Sequence, residues 1–282
     1  MDFVLASEQA IIRDETVELA RSVIAPRARG IDRTGEFPSD NLKALAQQSL
    51  MGIPFPAEYS GRNGGHVSYA IALEEIGKVC ASTGFIVGVH IMSAFCVHLF
   101  GNNQQRRRFL VPMSSGNKLG GFALTERTSG SDPSLIKTTA TFNGSEYVLN
   151  GDKCFITNSG QADIYVVFAV TDPSKGAKGI SAFIVEKGYE GFSFGKIEDK
   201  MGLRAAANGE LIFKDCKVPE ENLLGTEGDG FKLALLAIDR GRIGIAALGV
   251  GIAQAALDSA KMYAKQRTQF GKLSQIFKRF SS

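Results

Sequence analysis

The chain has 282 residues, of which 44% are hydrophobic and 22% are charged, and its formal net charge at pH 7 is +3. This composition is typical of a soluble globular protein, and it excludes a disordered tail, a collagen-like repeat and a disulfide-dense mini-protein. So small a positive excess predicts no nucleic-acid partner. The length predicts about two domains.

Location and membrane association can also be predicted from the sequence. The four cysteines contain no C-x-x-C pair, and the start of the chain has Asp2 where a signal peptide has its basic region, so a cytoplasmic protein with reduced thiols is expected. Residues 79–105 carry no Lys, Arg, Asp or Glu and are long enough to span a bilayer. Because they include serine, histidine and asparagine, we expect a buried helix of a soluble domain and no membrane partner.

The first third of the chain predicts helices. Apolar residues recur at helical spacing after Ser7 and stop at Pro26, which is expected to end the first helix. A second helix is predicted to start at Ser39 or Asp40. Residues 51–66 form a Gly- and Pro-rich loop, and helices resume after it.

The pattern changes to strands near Lys118. Asn143–Gly144 and Asn150–Gly151 are each flanked by β-rich runs, which is the strongest short-range signal for a hairpin. Residues 164–170 and 180–185 are rich in β-branched and aromatic side chains. Since no helical stretch separates these short strands, they predict an antiparallel barrel or sandwich rather than a parallel βαβ sheet.

From Gly228 to about Arg267 the pattern predicts one long helix. Nine of the sixteen residues from 241 to 256 are Gly or Ala, so neighbouring helices are expected to approach it closely. Several apolar residues of this helix are expected to lack part of their packing partners: Ile243, Ile245, Leu248, Val250, Ile252 and Leu257.

The predicted fold class is therefore α+β with several domains. We expect an N-terminal α-helical domain over residues 1–117 and a middle antiparallel β barrel or sandwich over residues 118–227. Residues 228–282 are expected to hold the first long helix of an incomplete C-terminal α-helical domain.

Two segments suggest a binding site. In residues 121–132 a short strand runs into a loop dense in hydroxyls and glycine, which suits a polar cofactor or a phosphate, although a surface turn explains it equally well. Phe155 and Thr157 point to the same side of a strand, and a flat ring beside a hydroxyl suits a heteroaromatic cofactor but also occurs in ordinary strands. His90 and His98 have no further ligands nearby, so we expect structural histidines and no metal.

Together, in their order, the motifs resemble the acyl-CoA dehydrogenase family, most closely the bacterial short-chain (butyryl-CoA) dehydrogenases, over residues 1 to about 272. The resemblance rests on L-T-E-x-x-x-G-S-D (124–132), Y-V-L-N-G-x-K-x-F-I-T-N (147–158), K-G-I-S-A-F-I-V (178–185), M-G-L-R-A (201–205), V-P-E-E-N-L-L-G (218–225), G-R-I-G-I-A-A (241–247) and R-T-Q-F-G (267–271).

The resemblance implies a three-part fold of helices, a β domain and a helical bundle. It also implies FAD as the cofactor and an oxidoreductase that converts an acyl-CoA to a trans-2-enoyl-CoA. A carboxylate takes the α proton while a hydride leaves the β carbon for the flavin, and electrons then pass to an electron-transfer flavoprotein. Relatives are mostly homotetramers, so a homo-oligomer is expected.

Site residues follow from the resemblance position by position. The expected cofactor-binding residues are Phe122, Ala123, Leu124, Thr125, Gly130, Ser131, Phe155, Ile156, Thr157 and Arg267. Thr125 is expected to hydrogen-bond the flavin ring and Thr157 to lie near its reactive nitrogen, while Arg267 would reach the FAD pyrophosphate of a neighbouring subunit. The expected substrate-binding residues are Ser131, on the pantetheine arm, and Asp239, Arg240, Gly241 and Arg242.

The sequence also departs from the family pattern. Arg127 stands where the family usually has Pro, and Lys278 stands where a cofactor-binding glutamine is expected. The chain is shorter than its relatives, and the general-base glutamate is expected beyond residue 282. In some relatives that glutamate lies on the long helix, where this chain has Gly241, so no catalytic residue is assigned. The expectation is a truncated short-chain acyl-CoA dehydrogenase that is inactive alone, and the alternative is a non-catalytic flavin- or acyl-CoA-binding fragment.

Overall fold

The structure is a computed structural model that describes residues 4–273. Its helices are α1 (Ser7–Leu19), α2 (Ala25–Thr34), α3 (Ser39–Gln47), α4 (Gly65–Val79), α5 (Ala81–Phe100), α6 (Asn103–Gln105), α7 (Val111–Ser114) and α8 (Gly230–Gln266). Its strands are β1 (Gly120–Ala123), β2 (Thr139–Phe142), β3 (Glu146–Thr157), β4 (Ile164–Val170), β5 (Ile180–Glu186), β6 (Phe192–Ile197), β7 (Asn208–Pro219), β8 (Leu223–Leu224), β9 (Thr268–Gln269) and β10 (Lys272–Leu273).

This order of helices, strands and a long helix confirms the predicted α+β class. The domain boundaries at residues 117 and 227 stay predictions, although both fall between the helical and the stranded segments. Lys278 and the rest of residues 274–282 lie outside the described residues.

The prediction that the first helix ends at Pro26 is wrong. A π-helical turn, Ala20–Ile24, follows α1 directly, and Pro26 lies in the first turn of α2, so the helical path continues to Thr34. Proline is tolerated in the first turn of a helix because the N–H that it lacks needs no intrahelical partner there.

Helix α5 is the charge-free helix, and it is a core element. Fourteen of its twenty residues are buried, as expected for a helix with apolar residues on most of its faces. By length and composition both α5 and α8 are apolar enough to cross a membrane, with 72% of the most apolar window of α5 buried within the structure and 17% of that of α8.

Strands β1 to β8 form one mixed sheet in the order β6-β7-β3-β2-β4-β5-β8, with β1 added beside β4, and β9 and β10 form a separate antiparallel pair. Most neighbours are antiparallel, as predicted, while β1 and β2 each pair with β4 in parallel. Asn143–Gly144 forms the expected hairpin turn between β2 and β3. Asn150–Gly151 does not, because it lies inside β3 at a register shift opposite β7, where Gly151 has a φ of 138°. A β-bulge is the other use of a glycine in a strand.

The sheet has a hydrophobic core on each face. On β4, Ile164, Val166 and Phe168 pack into the core shared with the helices, whereas Tyr165 and Val167 face the second core. Burial on both faces explains why β4 and β5 are continuous apolar runs rather than alternating ones.

Helix α8 packs along α4 and α5 through small residues. Gly241, Gly244, Leu248 and Gly251 are its buried positions in this stretch, which confirms the expectation of close helical neighbours. Leu248 is fully packed against Gly77 and Gly84, so the expectation that it lacks partners is wrong. The other five apolar residues named above are 38–56% exposed.

His90 joins α5 to the start of the sheet. Its Nδ1 accepts a hydrogen bond from the Gly120 N–H at 2.9 Å, and its Nε2 donates to the Met113 carbonyl at 3.1 Å. The ring is fully buried, which confirms its structural role. Burial lowers the pKa of His90 from 6.5 to about 4, so the imidazole is neutral at neutral pH.

This neutral histidine predicts a loss of stability in mild acid. Because the pKa is lower in the folded protein, the unfolded chain takes up the proton first, and stability falls as the pH drops from 6.5 towards 4. Between pH 7 and pH 5 the loss from this group is expected to be about 2 kcal/mol. Urea unfolding at both pH values checks it, with His90→Gln as the variant that keeps a donor and an acceptor without the titration. An equal loss in that variant would contradict the assignment.

Candidate functional site

A cleft of about 540 Å³ lies where α5, α8 and the sheet meet. The described residues that line it come from α5 (Phe85, Gly88, Val89, Met92), from the end of β1 and the following loop (Phe122, Thr125), from β3 (Phe155, Ile156, Thr157) and from α8 (Ile238, Gly241, Arg242, Ile245, Ala246). A mostly apolar cleft of this volume with a few polar groups is typical of a cofactor or small-molecule site.

The β3 wall of the cleft is shaped by a second bulge. The register between β3 and β7 shifts between Lys153 and Ile156, and Phe155 within it has a φ of 58°. A positive φ is a true outlier for a bulky residue. The phenyl ring is 60% exposed, so the local strain presents a flat apolar surface to the cleft. Strain of this kind clusters at ligand sites.

Thr157 supplies a hydroxyl beside that ring. It is buried, and its Oγ1 accepts from Nδ2 of Asn208 at 3.4 Å, while the same amide also donates to the Phe155 carbonyl at 2.9 Å. The next residue, Asn158, is anchored to β1, since its Nδ2 donates to the Gly120 carbonyl at 2.9 Å. These bonds fix the end of β3 against β7 and against β1.

The loop after β1 is fastened to β3 by a buried ion pair. Nζ of Lys153 lies 2.8 Å from Oε1 of Glu126 and donates to the Leu124 carbonyl at 3.2 Å. The Cys154 N–H donates to the Thr125 carbonyl at 2.9 Å. Neither Glu126 nor Lys153 has a role predicted from the sequence, although both are part of the motifs that carry the resemblance.

The pKa values of Glu126 and Lys153 are shifted both by burial and by each other's charge. Burial favours the neutral form of Glu126, but the nearby ammonium of Lys153 and the hydrogen bonds to the carboxylate lower the pKa of Glu126 below its usual value. Burial lowers the pKa of Lys153 to about 8, against the pull of Glu126. The pair is therefore ionised at neutral pH.

The α8 wall is close to α5 at Gly241. A Cβ at this position would lie 2.6 Å from Sδ of Met92, so the methionine thioether occupies the space beside it. Arg242 lies next along the helix and pairs with Asp239 at 2.8 Å, with both side chains largely exposed. Arg240 points away from this pair and lies over the ring of Phe95.

The structure brings together some of the predicted site residues. Those lining the cleft are Phe122, Thr125, Phe155, Ile156, Thr157, Gly241 and Arg242. Ala123 and Leu124 are buried and do not line it, and Gly130 and Ser131 are exposed on the loop that follows Thr125. Arg267 lies past the end of α8, about 39 Å along the helix from Gly241, so it is remote from this cleft in the same chain.

The α5 lining was missed by the sequence analysis. Phe85, Val89 and Met92 follow the i, i+4, i+7 spacing of one helix face, but the helix is apolar on most sides, so this face carries no distinguishing pattern. No Asp or Glu is among the described residues that line the cleft.

Comparison with known proteins decides the family. The acyl-CoA dehydrogenase N-terminal, middle and C-terminal domain families match residues 6–117, 121–216 and 228–277. The short-chain specific acyl-CoA dehydrogenase of Clostridium acetobutylicum is 48% identical over 273 residues, which is 96% of this chain and 72% of that protein. The chain belongs to the acyl-CoA dehydrogenase family.

Solved structures of the family superpose closely on this chain. Butyryl-CoA dehydrogenase from Megasphaera elsdenii matches with a TM-score of 0.97 and 44% identity, covering 100% of this chain and 75% of the other. A chain from the structure of the electron transferring flavoprotein of Acidaminococcus fermentans, in a study of flavin-based electron bifurcation, matches with a TM-score of 0.98 and 45% identity, over 100% and 74%. The chain is accordingly an oxidoreductase of the acyl-CoA dehydrogenase class.

Proposed function

We propose that the cleft binds FAD and a short-chain acyl-CoA, and that the protein catalyses α,β-dehydrogenation of the acyl chain to the trans-2-enoyl-CoA. The observation that carries the proposal is the convergence of Thr125 with the strained, exposed Phe155 and with Thr157 in one apolar cleft. The short-chain preference is supported by the short-chain specific relative and by the butyryl-CoA dehydrogenase structure.

The residues present fit a flavin. A three-ring isoalloxazine needs a flat apolar contact and polar groups at its edge. Phe155 and Ile156 offer the first, and the side chains of Thr125 and Thr157 offer the second. When bound there, FAD would supply the acceptor for the hydride of the β carbon.

Substrate binding is assigned to the α8 wall and the loop after β1. We propose that Ile238 and Ile245 contact the acyl chain, while Asp239, Arg240 and Arg242 line the path of the CoA group. Support comes from Arg242, which lines the cleft and has a largely exposed side chain, so its guanidinium can bind an anion. Ser131 is proposed to contact the pantetheine arm from its exposed position on the loop.

The reaction also needs a group that takes the α proton. No carboxylate is among the described lining residues, so we propose that the base is not supplied by this part of the chain. A non-catalytic flavin- or acyl-CoA-binding role is the second candidate, and the same observation favours it. Rapid bleaching of bound FAD by butyryl-CoA would exclude that second role.

The partner protein and the assembly are also proposals. An electron-transfer flavoprotein as electron acceptor is supported by the match to the Acidaminococcus fermentans structure. A homo-oligomer is supported by family membership, and within it Arg267 would reach the FAD of a neighbouring subunit. A cytoplasmic location is supported by the bacterial relatives.

Replacing Phe155 with alanine tests the flavin site. Loss of an aromatic stacking surface costs about 1–3 kcal/mol for nucleic-acid bases, so the Kd for FAD is expected to rise by about 5- to 150-fold. Fluorescence titration of the apoprotein with FAD measures it. Phe142→Ala, which removes a half-exposed ring on β2 outside the cleft, is the matched control. Unchanged FAD affinity in the Phe155 variant would contradict the proposed site.

A further inference from the structure

We propose that Lys153 is a positioning residue that holds Thr125, on the loop after β1, at a fixed position relative to Phe155, on β3. The inference rests on the proposed function, since it concerns how that cleft holds its cofactor. It starts from the buried ion pair between Lys153 and Glu126. Neither of these two residues lines the cleft.

The contacts of Lys153 join the two walls that carry the proposed flavin contacts. From β3, Nζ of Lys153 reaches the Leu124 carbonyl and the Glu126 carboxylate, and the Cys154 N–H reaches the Thr125 carbonyl between them. Three consecutive residues of the loop are thus held by two consecutive residues of the strand. Thr125 therefore cannot move relative to Phe155 unless these bonds break.

Glu126 also binds the segment that precedes β2. Its Oε2 accepts from the Lys137 N–H at 2.6 Å and its Oε1 from the Thr138 N–H at 3.0 Å. The carboxylate thereby fastens the loop to the segment that leads into β2. Charge-assisted bonds of this kind are shorter and stronger than neutral ones, so the loop has a fixed geometry rather than one that the cofactor must impose.

The bulge explains why this pair can act on the cleft without entering it. Beside the register shift, Lys153 is buried and its Nζ contacts the loop, while Phe155 lies within the shift, is exposed and lines the cleft. The same backbone distortion places Lys153 on one side and Phe155 on the other. Releasing the lysine is therefore expected to relax the positive φ of Phe155 and to move its ring.

A role in positioning differs from a purely structural role in what it changes. A structural role predicts lower stability alone, as at any buried ion pair that loses one partner. A positioning role also predicts altered FAD binding in protein that is still folded. The distinguishing readouts are the FAD affinity and the visible absorbance and circular dichroism of bound FAD, because the ring environment determines these spectra.

The test uses Lys153→Met in the full 282-residue chain with FAD added. Its Kd for FAD is expected to rise at least tenfold and its visible circular dichroism to change. Leu45→Ala, which removes a fully buried side chain of α3 away from the cleft, is the stability control and is expected to keep the parent affinity and spectrum. Glu126→Gln, which removes the charge but retains most of the shape, is expected to give a smaller change of the same kind and serves if the lysine variant does not fold.

Two results would overturn the inference. The first is parent-like affinity and spectrum in both the Lys153 and Glu126 variants. The second is an equal loss of affinity in Leu45→Ala, which would show that general destabilisation is the cause. Absence of FAD binding by the parent chain is a separate result, which would overturn the proposed function and this inference with it.

Discussion

Replacing Gly241 with glutamate is expected to raise the rate at which butyryl-CoA bleaches bound FAD by about 10²–10⁴, the usual contribution of a positioned general base. The described lining of the cleft has no carboxylate, and Gly241 faces it from α8. The resemblance implies that some relatives carry the base at this position. The new carboxylate would take the α proton of the acyl chain.

The geometry allows this substitution at a modest cost. The three atoms nearest to the added Cβ all belong to the flexible side chain of Met92, with Sδ at 2.6 Å and Cγ at 3.4 Å. Methionine has three rotatable bonds and adapts to irregular spaces, so it is expected to swing aside.

Gly241→Gln is the matched control for this prediction. It has the same size and displaces Met92 in the same way but cannot accept the proton. Anaerobic stopped-flow absorbance compares both variants with the parent chain. Equal bleaching rates in the glutamate and glutamine variants would contradict the assignment of this position to the reacting end of the cleft.

Gly251→Ala is expected to destabilise the protein by more than about 1–3 kcal/mol, the usual cost of overpacking. A Cβ at Gly251 would overlap the carbonyl oxygen of Glu74 and lie 3.0 Å from its carbonyl carbon. These are backbone atoms of α4 and cannot rotate away, so α8 would have to move from α4. Because α8 forms one wall of the cleft, the same shift is expected to weaken FAD binding.

The chain offers a close control two residues earlier. Gly249 also lies in α8, but nothing lies within 4 Å of the Cβ that alanine would add there. Gly249→Ala is expected to stabilise the protein by up to about 1 kcal/mol through helix propensity. Guanidinium unfolding of both variants measures the difference, and similar free energies of unfolding would contradict the close packing of α8 on α4.

The sequence predicted the element types well where one local signal dominated. The buried helix α5, the hairpin at Asn143–Gly144 and the length of α8 all follow from periodicity, composition or turn chemistry. Two predictions were wrong because glycine occurs in bulges as well as in turns, and proline occurs in the first turn of a helix as well as after its end. Asn150–Gly151 is a bulge inside β3, and Pro26 continues a helical path after a π-helical turn. Which of these structures forms depends on how the segment packs or pairs with the neighbouring strand or helix.

The candidate site was predictable in part. Thr125, Phe155 and Thr157 were found because the motifs give them distinctive neighbours, and they lie together in the cleft. The α5 wall could not be separated from the core, since a helix apolar on most sides shows no preferred face. The roles of Glu126 and Lys153 depend on a long-range ion pair between a loop and a bulge, and no local pattern indicates which charged residues will be buried together.

The most direct test of the account is to mix the purified apoprotein with FAD and separate bound from free flavin by gel filtration, following visible absorbance. The account predicts FAD that co-elutes with the protein at one per chain, and a further spectral change when butyryl-CoA is added without oxygen. FAD that elutes entirely free from folded protein would contradict the central claim that this cleft is a flavin site.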